Sequence, residues 1–518
     1  MRKGSKIRTS LVIALAALTT MIWGTKKAVE FSVEPSGDKD CGFIYYRETD
    51  GTKATQMEVT YEGEMINDAS CLNQTPIYGV VTVKDSTDIF NALSFAKEND
   101  LKISLAGQQH SMGGQSFIRG GLILDMKGLT AMEMTESGTL SVQSGATWAE
   151  VQEFLDPMGL SVKAMQSINI FTVGGTLSVN AHGTAHNPGQ VGATVRSLQV
   201  MLPSGEIVTA SLTENEDLFR HTLGGYGLFG IILSAELEVV PNIMLNHEIE
   251  YMDYKDFPAY YEANIEGDEE SELFFARLSV SPFSYLTETV VHDLKRTDFE
   301  GELPPMQPEE HTTFKRFVLN FSKTGNLGRW FRWILEKHVD AYQLPCTRNT
   351  AMSQAEQICL SSRNQNMYDP RAYLKTNVPS TDILQEYFLP HEHFVEFIDG
   401  LREVVKKNDA NLLNATIRIV NKDEISALPY AKGDRFAVVL YFNQKLSEKD
   451  SETLEKTTLD LIDLAESLDG TFYLPYQLYY SKEQLQLAYP EIDDFFAEKL
   501  EMDPEEILSN KWYEKYKQ

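Results

Sequence analysis

Residues 166–187 read QSINIFTVGGTLSVNAHGTAHN, and this stretch decides the fold that the sequence predicts. It places three glycines among small and β-branched residues. Because glycine has no Cβ, such a backbone can lie close against a flat or anionic ligand. Two other stretches have the same character, SLAGQQHSMGGQSFIRGG at 104–121 and LFRHTLGGYGLFGII at 218–232. Together they predict one cofactor that is held by several loops.

The segment GYGLFG at 225–230 satisfies the spacing G-x-G-x-x-G of dinucleotide-binding loops. Such a loop follows a strand and opens a helix. Here the order is reversed, because NEDLFRHTL before the segment has helical character and GIILSAELEVV after it is typical of a strand. The segment therefore argues against a Rossmann fold.

The composition predicts a globular protein with more than one domain. The chain has 518 residues, of which 42% are hydrophobic, and its net charge is -29. So acidic a surface would repel the phosphate backbone of nucleic acid, and we expect no nucleic-acid partner.

The N-terminus differs from the rest. Four cations precede an apolar run at 11–23: Arg2, Lys3, Lys6 and Arg8. This pattern is typical of an export signal or an uncleaved membrane anchor, with the catalytic body outside the cytoplasm, in the periplasm or cell envelope. A core helix at the start of a soluble protein is the alternative.

The four cysteines allow two disulfides, Cys41–Cys71 and Cys346–Cys359, but unpaired buried thiols fit equally well. His182 and His186 lie four residues apart, as a metal pair on a helix would. Glycine between them and proline after them predict a loop instead, so we expect no metal.

Local patterns predict strands and helices around the glycine-rich loops. Residues 80–99 are typical of a strand and then a helix capped by Asp85 or Ser86, and residues 101–107 of a second strand. Residues 122–129 predict a buried strand. Residues 139–160 predict a strand, a turn and a helix with Thr147 as its cap and Gly159 as its end.

Five motifs resemble, in this order, the FAD-binding domain of the vanillyl-alcohol oxidase superfamily, also called the p-cresol methylhydroxylase (PCMH) type. They are NDASCLN at 67–73, AGQQHSMGGQ at 106–115, VGGTLSVNAHG at 173–183, LPSGEIVTAS at 202–211 and LGGYGLFGII at 223–232. Within the superfamily the chain most resembles the D-arabinono-1,4-lactone oxidase, L-gulonolactone oxidase and alditol oxidase group. Cytokinin dehydrogenase and decaprenylphosphoryl-ribose oxidase are more distant in this comparison.

The resemblance implies an α+β fold, in which a two-subdomain PCMH-type FAD-binding domain precedes an α+β substrate domain with a mixed or antiparallel sheet flanked by helices. The expected parts are a signal or anchor at 1–30, a lead-in at 31–70, the FAD-binding domain at 71–242, the substrate domain at 243–470 and a C-terminal segment at 471–518 that returns to the flavin.

By the same resemblance, FAD is the cofactor and His110 is the expected covalent attachment point. A neutral imidazole nitrogen can attack the activated 8α carbon of the flavin. The expected cofactor-binding residues are Ala106, Gly107, Gln108, Gln109, His110, Ser111, Gly113, Gly114, Gln115, Gly145, Thr172, Gly174, Gly175, Ser178, His182, Gly183, Gly227, Gly230 and Ile231.

The resemblance also implies the catalytic candidates, which are Glu386, Arg418, Tyr473, Tyr476 and Gln477. Two positions depart from the pattern of alditol oxidases. Thr416 stands where they have glutamate, and Tyr476 stands where relatives often have lysine. The departure at Thr416 weakens the expectation of an ordinary alditol substrate, and either Glu386 or Tyr476 is the expected base.

The expected activity is oxidation of a CH–OH group of a sugar-derived small molecule, an aldonolactone, alditol or related polyol, by hydride transfer to flavin N5. Oxygen or another acceptor then reoxidises the flavin. The alternatives are oxidation of a lipid-linked sugar as half of an epimerisation, and a scaffold that keeps the fold without catalysis.

Residues 311–340 form a basic aromatic segment, with six cations and two acids in a chain of net charge -29. The segment favours either contact with a membrane surface or two helices packed on the body.

Overall fold

The computed structural model describes residue 24 and residues 65–307, 312–338, 345–354 and 380–517. Helices and mainly antiparallel sheets alternate along these residues, which confirms the predicted α+β class. Residues 1–23, most of the lead-in, Cys41 and Cys359 lie outside the described residues. None of the helices in the described part has the length and hydropathy that a membrane crossing requires.

A two-stranded ribbon and a small parallel sheet are formed by residues 65–125. A two-stranded ribbon comes first, β1 (Met65–Ile66) and β2 (Thr75–Pro76). The parallel sheet follows in the order β3-β5-β4, formed by β3 (Gly79–Thr82), β4 (Ile103–Ala106) and β5 (Leu122–Asp125). Helix α1 (Ser86–Glu98) connects β3 to β4, and the Asp85 carboxylate caps it by accepting from Thr87 N and Asp88 N. The predicted strand, cap and helix are confirmed.

A five-stranded antiparallel sheet forms the second layer, in the order β10-β9-β11-β7-β6. Its strands are β6 (Met132–Met134), β7 (Leu140–Gln143), β9 (Val195–Met201), β10 (Ile207–Ala210) and β11 (Ile231–Leu237). Beside it pair β8 (Leu160–Val162) and β12 (Val239–Pro241). Its helices are α2 (Trp148–Leu155), α3 (Val173–Ser178) and α4 (Glu216–Thr222).

Two local predictions in this layer hold. Thr147 caps α2 in a reciprocal capping box with Glu150, and Gly159 adopts a left-handed conformation with φ 68° after the helix. Helix α4 precedes GYGLFG and strand β11 follows it. This order is the reverse of the one in a Rossmann loop.

An eight-stranded antiparallel sheet dominates the rest, in the order β16-β13-β15-β14-β18-β19-β17-β20. Its strands are β13 (Met244–Asp253), β14 (Ser271–Leu278), β15 (Glu288–Arg296), β16 (Cys346–Thr347), β17 (Ser380–Leu389), β18 (Leu412–Val420), β19 (Arg435–Lys445) and β20 (Thr471–Phe472). The helices that follow α4 are α5 (Phe257–Asn264), α6 (Thr312–Ser322), α7 (Asn326–His338), α8 (Arg348–Gln354), α9 (Phe394–Lys407) and α10 (Glu448–Glu466).

Alternation along β17 separates the two faces of this sheet. Gln385 donates from Nε2 to Thr458 Oγ1 of α10 at 2.6 Å, and the Tyr387 ring lies 5.6 Å from Phe397 of α9. These odd-numbered residues therefore face the helices. The even-numbered residues Leu384 and Glu386 point to the opposite face, where the FAD-binding loops lie.

The C-terminal segment returns to the small parallel sheet and to the glycine-rich loop at Tyr226. After β20 come α11 (Lys482–Ala488), α12 (Ile492–Met502) and α13 (Lys511–Tyr516). Ser509 N donates to Ile103 O at 2.8 Å, and Asn510 Nδ2 donates to Tyr226 O at 2.9 Å. The end of the chain therefore closes on the strands that carry the glycine-rich loops.

Of the cysteines in the described residues, Cys71 is disulfide-bonded and Cys346 is a free thiol. The disulfide Cys346–Cys359, which the spacing allowed, is therefore excluded.

Candidate active site

A cleft of about 1140 Å³, counting the solvent at its mouth, lies between the eight-stranded sheet and the glycine-rich loops. One wall is a single face of three adjacent strands, because cross-strand partners point to the same side. It is made of Leu384 and Glu386 from β17, Val439 and Tyr441 from β19, and Asn414, Thr416 and Arg418 from β18. Residues 107–112 and 166–182 contribute to the opposite wall.

A second cavity of about 580 Å³ continues from the first. Both are lined by Gly107, Ser111, Ser116, Thr172, Gly175 and Val179. The second cavity is also lined by Tyr226, Gly227 and Ile232. The two cavities thus form one elongated site, wide at the sheet and narrow among the loops.

Thirteen of the nineteen expected cofactor-binding residues line these cavities. They are Ala106, Gly107, Gln108, Gln109, His110, Ser111, Gln115, Thr172, Gly174, Gly175, Ser178, His182 and Gly227.

The other six line neither cavity: Gly113, Gly114, Gly145, Gly183, Gly230 and Ile231. Ile231 is buried in β11. A Cβ on Gly145 would lie 2.0 Å from Met126 O, and one on Gly183 would lie 2.0 Å from Met165 O. At these two positions glycine is required by a neighbouring protein backbone, which sequence alone could not distinguish from a ligand.

His110 lies in the cleft wall as a neutral imidazole. Burial lowers its pKa to about 3, and the hydrogen bond with Gln108 O, which raises it, is too weak to compensate. The contact between Nδ1 and that carbonyl is 2.8 Å, so Nδ1 carries the proton and Nε2 carries the lone pair. The ring also contacts Phe171, with centroids 4.3 Å apart.

His182 and Glu386 meet across the cleft. His182 Nε2 lies 2.6 Å from Glu386 Oε1, and both side chains are almost fully buried. Three aromatic rings surround the imidazole, Phe388 at 5.7 Å, Tyr430 at 5.9 Å and Tyr473 at 6.2 Å. His182, which was expected to bind the cofactor, is therefore also a direct neighbour of the expected base.

The Glu386 carboxylate is held in its ionised form. Burial raises its pKa, but His182, Arg418 and the hydrogen bond from Tyr476 lower it, and the net result is a pKa below the ordinary value. Tyr476 Oη donates to Glu386 Oε2 at 3.3 Å. A buried anion thus faces the interior of the cleft at neutral pH.

Four of the five catalytic candidates line the cleft: Glu386, Arg418, Tyr473 and Tyr476. Tyr473 Oη donates to Val179 O at 2.7 Å and so holds the end of α3. Gln477 is buried outside the cleft wall, and its Oε1 accepts from Asn73 Nδ2 at 3.5 Å.

Sequence reasoning missed Asn414 and Tyr441 in the same wall. Asn414 had a detectable signal, because counting back in twos from Arg418 along a strand gives Thr416 and then Asn414. Tyr441 had none, since its strand is apolar along most of its length and does not reveal which face is which.

A buried polar junction around Asp68 was also missed. The Asp68 carboxylate accepts from Ser70 N at 3.0 Å, Ser70 Oγ at 2.5 Å, Asn73 Nδ2 at 2.9 Å and Gly114 N at 2.9 Å. Burial raises its pKa to about 6, although these hydrogen bonds lower it. Asp68 thereby ties the first motif to the loop that carries His110.

The same loop holds the C-terminal segment on its other side. Gln115 Nε2 donates to Leu474 O at 2.7 Å and Tyr476 O at 3.1 Å, and Met112 N donates to Pro475 O at 2.8 Å. Asn73 Nδ2 donates to Met112 O at 2.6 Å. The placement of His110 and that of Tyr476 therefore depend on one connected network.

Comparison with known proteins identifies the part of the site that the glycine-rich loops form. Residues 77–211 match the family model of an FAD binding domain. The chain therefore carries an FAD-binding domain of the PCMH flavoprotein superfamily, and FAD is its cofactor.

Among its relatives, cytokinin dehydrogenase 4 of Oryza sativa subsp. japonica is 28% identical over 47% of this chain and 47% of that protein. The decaprenylphosphoryl-beta-D-ribose oxidase of Mycolicibacterium smegmatis is 33% identical over 32% of this chain and 37% of that protein. An uncharacterized oxidoreductase of the fasciation locus of Rhodococcoides fascians is 30% identical over 33% of this chain and 39% of that protein. The chain thus matches less than half the length of these relatives. Their names support the superfamily, and they do not single out the lactone oxidase group.

The residues present fit FAD. The elongated shape suits a dinucleotide with a flat ring at one end. The lining residues include Gln109, Ser144 and Ser167, whose Nε2, Oγ and Oγ atoms are buried without a hydrogen-bond partner in the described part of the chain. Buried polar atoms usually have partners, so these are available to a polar ligand.

Proposed function

We propose that this protein is an FAD-dependent oxidoreductase that oxidises a CH–OH group of a sugar-derived substrate, such as an aldonolactone, an alditol or a related polyol. The observation that carries the proposal is the ionised Glu386 carboxylate, which faces a cleft whose opposite wall is the FAD-binding loops. A buried base next to a redox cofactor is the arrangement that alcohol oxidation requires.

In this proposal Glu386 accepts the proton of the substrate hydroxyl, and Tyr476 fixes the Oε2 atom through its hydrogen bond. His182 Nε2 contacts the other oxygen of this carboxylate, Oε1, and so limits rotation of the carboxylate. The chemistry that FAD would supply in this cleft is acceptance of the hydride, with oxygen or another acceptor reoxidising the flavin. Arg418 lies close enough to Glu386 to lower the pKa of that carboxyl. Its positive charge would also offset the negative charge that a bound flavin gains on reduction.

The lining supplies groups for substrate hydroxyls. Asn414, Thr416 and Gln166 carry amide or hydroxyl groups in the walls. Phe171, Tyr441, Val439 and Leu384 supply apolar surface around them. A partly polar and partly apolar cleft suits a substrate with both kinds of surface, and Thr416 in place of glutamate favours one other than a simple alditol.

The test is anaerobic absorbance spectroscopy of the purified protein with added alditols, aldonolactones, sugar phosphates and a cytokinin. We expect the oxidised flavin band to bleach with one sugar-derived class. Bleaching by the cytokinin alone would contradict the sugar substrate and favour the activity named for the plant relatives. A flavin that none of these compounds reduces would contradict this proposal and leave the lipid-linked sugar and the scaffold as alternatives.

A second candidate is oxidation of a lipid-linked sugar as half of an epimerisation. The relative named decaprenylphosphoryl-beta-D-ribose oxidase and the apolar part of the cleft favour it. A polyprenyl-phosphate sugar that bleaches the flavin when water-soluble sugars do not would support this candidate over the first.

We further propose that the body lies outside the cytoplasm, in the periplasm or cell envelope. The disulfide at Cys71 supports this location, because such bonds persist in oxidising compartments. Cell fractionation with a protease-accessibility assay on intact spheroplasts tests it, and protection of the body from protease would contradict it.

A further inference from the structure

Helices α6 and α7 form a hairpin, joined by residues 323–325, whose inner side is anchored on the eight-stranded sheet. Trp333 is 3% exposed and donates from Nε1 to Glu288 Oε2 at 2.8 Å. Arg332 is 1% exposed, pairs with Glu336 and donates from Nη1 to Leu413 O at 2.9 Å. The expectation that this segment packs as two helices on the body is therefore met on one side.

Three large apolar side chains of the hairpin are exposed in the described part of the chain. Phe314 is 50% exposed, Leu327 66% and Trp330 38%, and we call these three residues the outer face. Phe321 and Phe331, whose ring centroids are 5.9 Å apart, are only partly buried beside it. Several large apolar side chains left open in so short a segment usually mark an interaction surface.

Residues 312–338 carry six cations and one acid, whereas the chain as a whole carries -29. Three of these cations are paired with carboxylates, Lys323 with Asp382, Arg332 with Glu336 and Lys337 with Glu288. Arg329 donates from Nη2 to Asn326 Oδ1 at 2.9 Å, which is a neutral partner. Arg329 also lies close enough to Tyr285 to oppose the burial that raises the pKa of that phenol to about 12. Phe283, 84% exposed, is two residues from Tyr285.

Apolar side chains including tryptophan, interspersed with cations, are the composition of helices that lie at the boundary of an anionic membrane. We propose that the outer face of this hairpin docks on an anionic lipid surface. Docking leaves the inner side in place, so the sheet contacts of Arg332 and Trp333 are kept. The proposal is independent of which substrate the cleft takes.

The hairpin that would dock lies beside the cleft. Arg332 Nη2 contacts Asn414 Oδ1 at 3.3 Å, and Leu319 packs in one cluster with Tyr441. Asn414 and Tyr441 both line the cleft. One layer of side chains therefore separates the inner side of the hairpin from the cleft.

The test uses the full chain with vesicles of phosphatidylcholine, with or without phosphatidylglycerol, carrying brominated acyl chains that quench tryptophan on contact. The signal of Trp330 is the difference between the natural protein and W330F, so the other four tryptophans cancel. We expect this difference signal to be quenched only on anionic vesicles. R329E should weaken the binding about fivefold or more, because each basic residue contributes about 1 kcal/mol near such a surface.

The matched control is L487S on α11, which removes an equally exposed leucine, 68% exposed, and should leave the quenching unchanged. L327S should reduce it, with the melting temperature measured to establish that both variants fold. A Trp330 signal that brominated lipids leave unquenched would overturn the proposal. So would a concentration-dependent dimer, seen by light scattering without lipid, that L327S abolishes, since a second copy would then cover the face.

Discussion

His182 Nε2 lies 2.6 Å from Glu386 Oε1, and this contact joins the FAD-binding domain to the eight-stranded sheet at the centre of the cleft. The histidine comes from a glycine-rich loop and the glutamate from an interior strand. Burial in the assembled protein raises the pKa of Glu386, and contacts with His182, Arg418 and Tyr476 lower it again, so the carboxylate stays ionised inside the cleft. The chemistry of the site therefore depends on how the domains close on each other.

Glu386→Gln should lower the rate of flavin reduction about 10²- to 10⁴-fold, because the amide cannot accept the hydroxyl proton. The amount of bound FAD should be unchanged, since the substitution nearly preserves shape. Anaerobic stopped-flow absorbance measures the rate. Glu396→Gln on α9, whose side chain is 68% exposed, is the control and should react at the natural rate. Unchanged reduction in the Glu386 variant would assign the base to another group.

Tyr476→Phe should move the acid limb of the pH profile of kcat/KM to higher pH. The tyrosine hydrogen bond lowers the pKa of Glu386, so its removal raises that pKa. The base must be ionised to act, and activity is lost as pH falls through the pKa, so the loss begins at a higher pH in the variant. Tyr473→Phe is the control, because its hydroxyl donates to Val179 O instead. An acid limb that stays in place would show that Tyr476 does not act through Glu386.

His110→Ala should convert a covalently held flavin into a dissociable one. The neutral imidazole has its lone pair on Nε2 and is therefore able to form the bond. After acid precipitation we expect flavin in the pellet for the natural protein and in the supernatant for the variant. Absorbance of the two fractions gives the result. Free flavin from the natural protein would rule out the covalent bond.

Asp68→Asn should destabilise the fold and weaken FAD binding, although the two side chains have the same shape. The backbone and amide partners of the carboxylate are N–H donors on both oxygens, so an amide NH₂ would face donors and lose hydrogen bonds. Each buried group left without a partner costs about 1–3 kcal/mol. Thermal melts and flavin fluorescence during dialysis measure the two effects.

Asp85→Asn is the control for Asp68, because asparagine caps a helix about as well as aspartate does. A natural-like melt and flavin affinity in the Asp68 variant would contradict the role of the junction.

The pKa of Asp68 adds a signature in pH. The folded-state pKa is raised to about 6 from an ordinary value of 3.8, so the folded state holds the proton more tightly than the unfolded state. The natural protein should thus lose stability relative to Asp68→Asn as pH rises from about 4 to about 6. Urea unfolding across this range measures it, and parallel curves for the two proteins would exclude the shift.

The amino-acid sequence by itself determined the local elements and the cofactor. Asp85, Thr147 and Gly159 act through neighbours a few residues away, so their caps and turns follow from short-range patterns. The helix before GYGLFG and the strand after it also follow from periodicity, and their order excluded a Rossmann loop. The glycine-rich loops predicted a bound cofactor, and their resemblance to the PCMH-type domain implied FAD, which the match of residues 77–211 to an FAD binding domain confirms.

Only the tertiary structure decided which of these residues meet. His182 and Glu386, Asp68 and Gly114, and Gln115 and Tyr476 are each brought together by chain closure over long separations, and no local periodicity specifies such pairs. Tertiary packing also gives two similar glycines different roles. Gly183 makes room for Met165 O, whereas Gly175 lines the cavity wall. The sequence determined which conformations each loop can adopt. The packing of the two sheets determined the position of the groups that face the substrate and the contacts that set their ionisation.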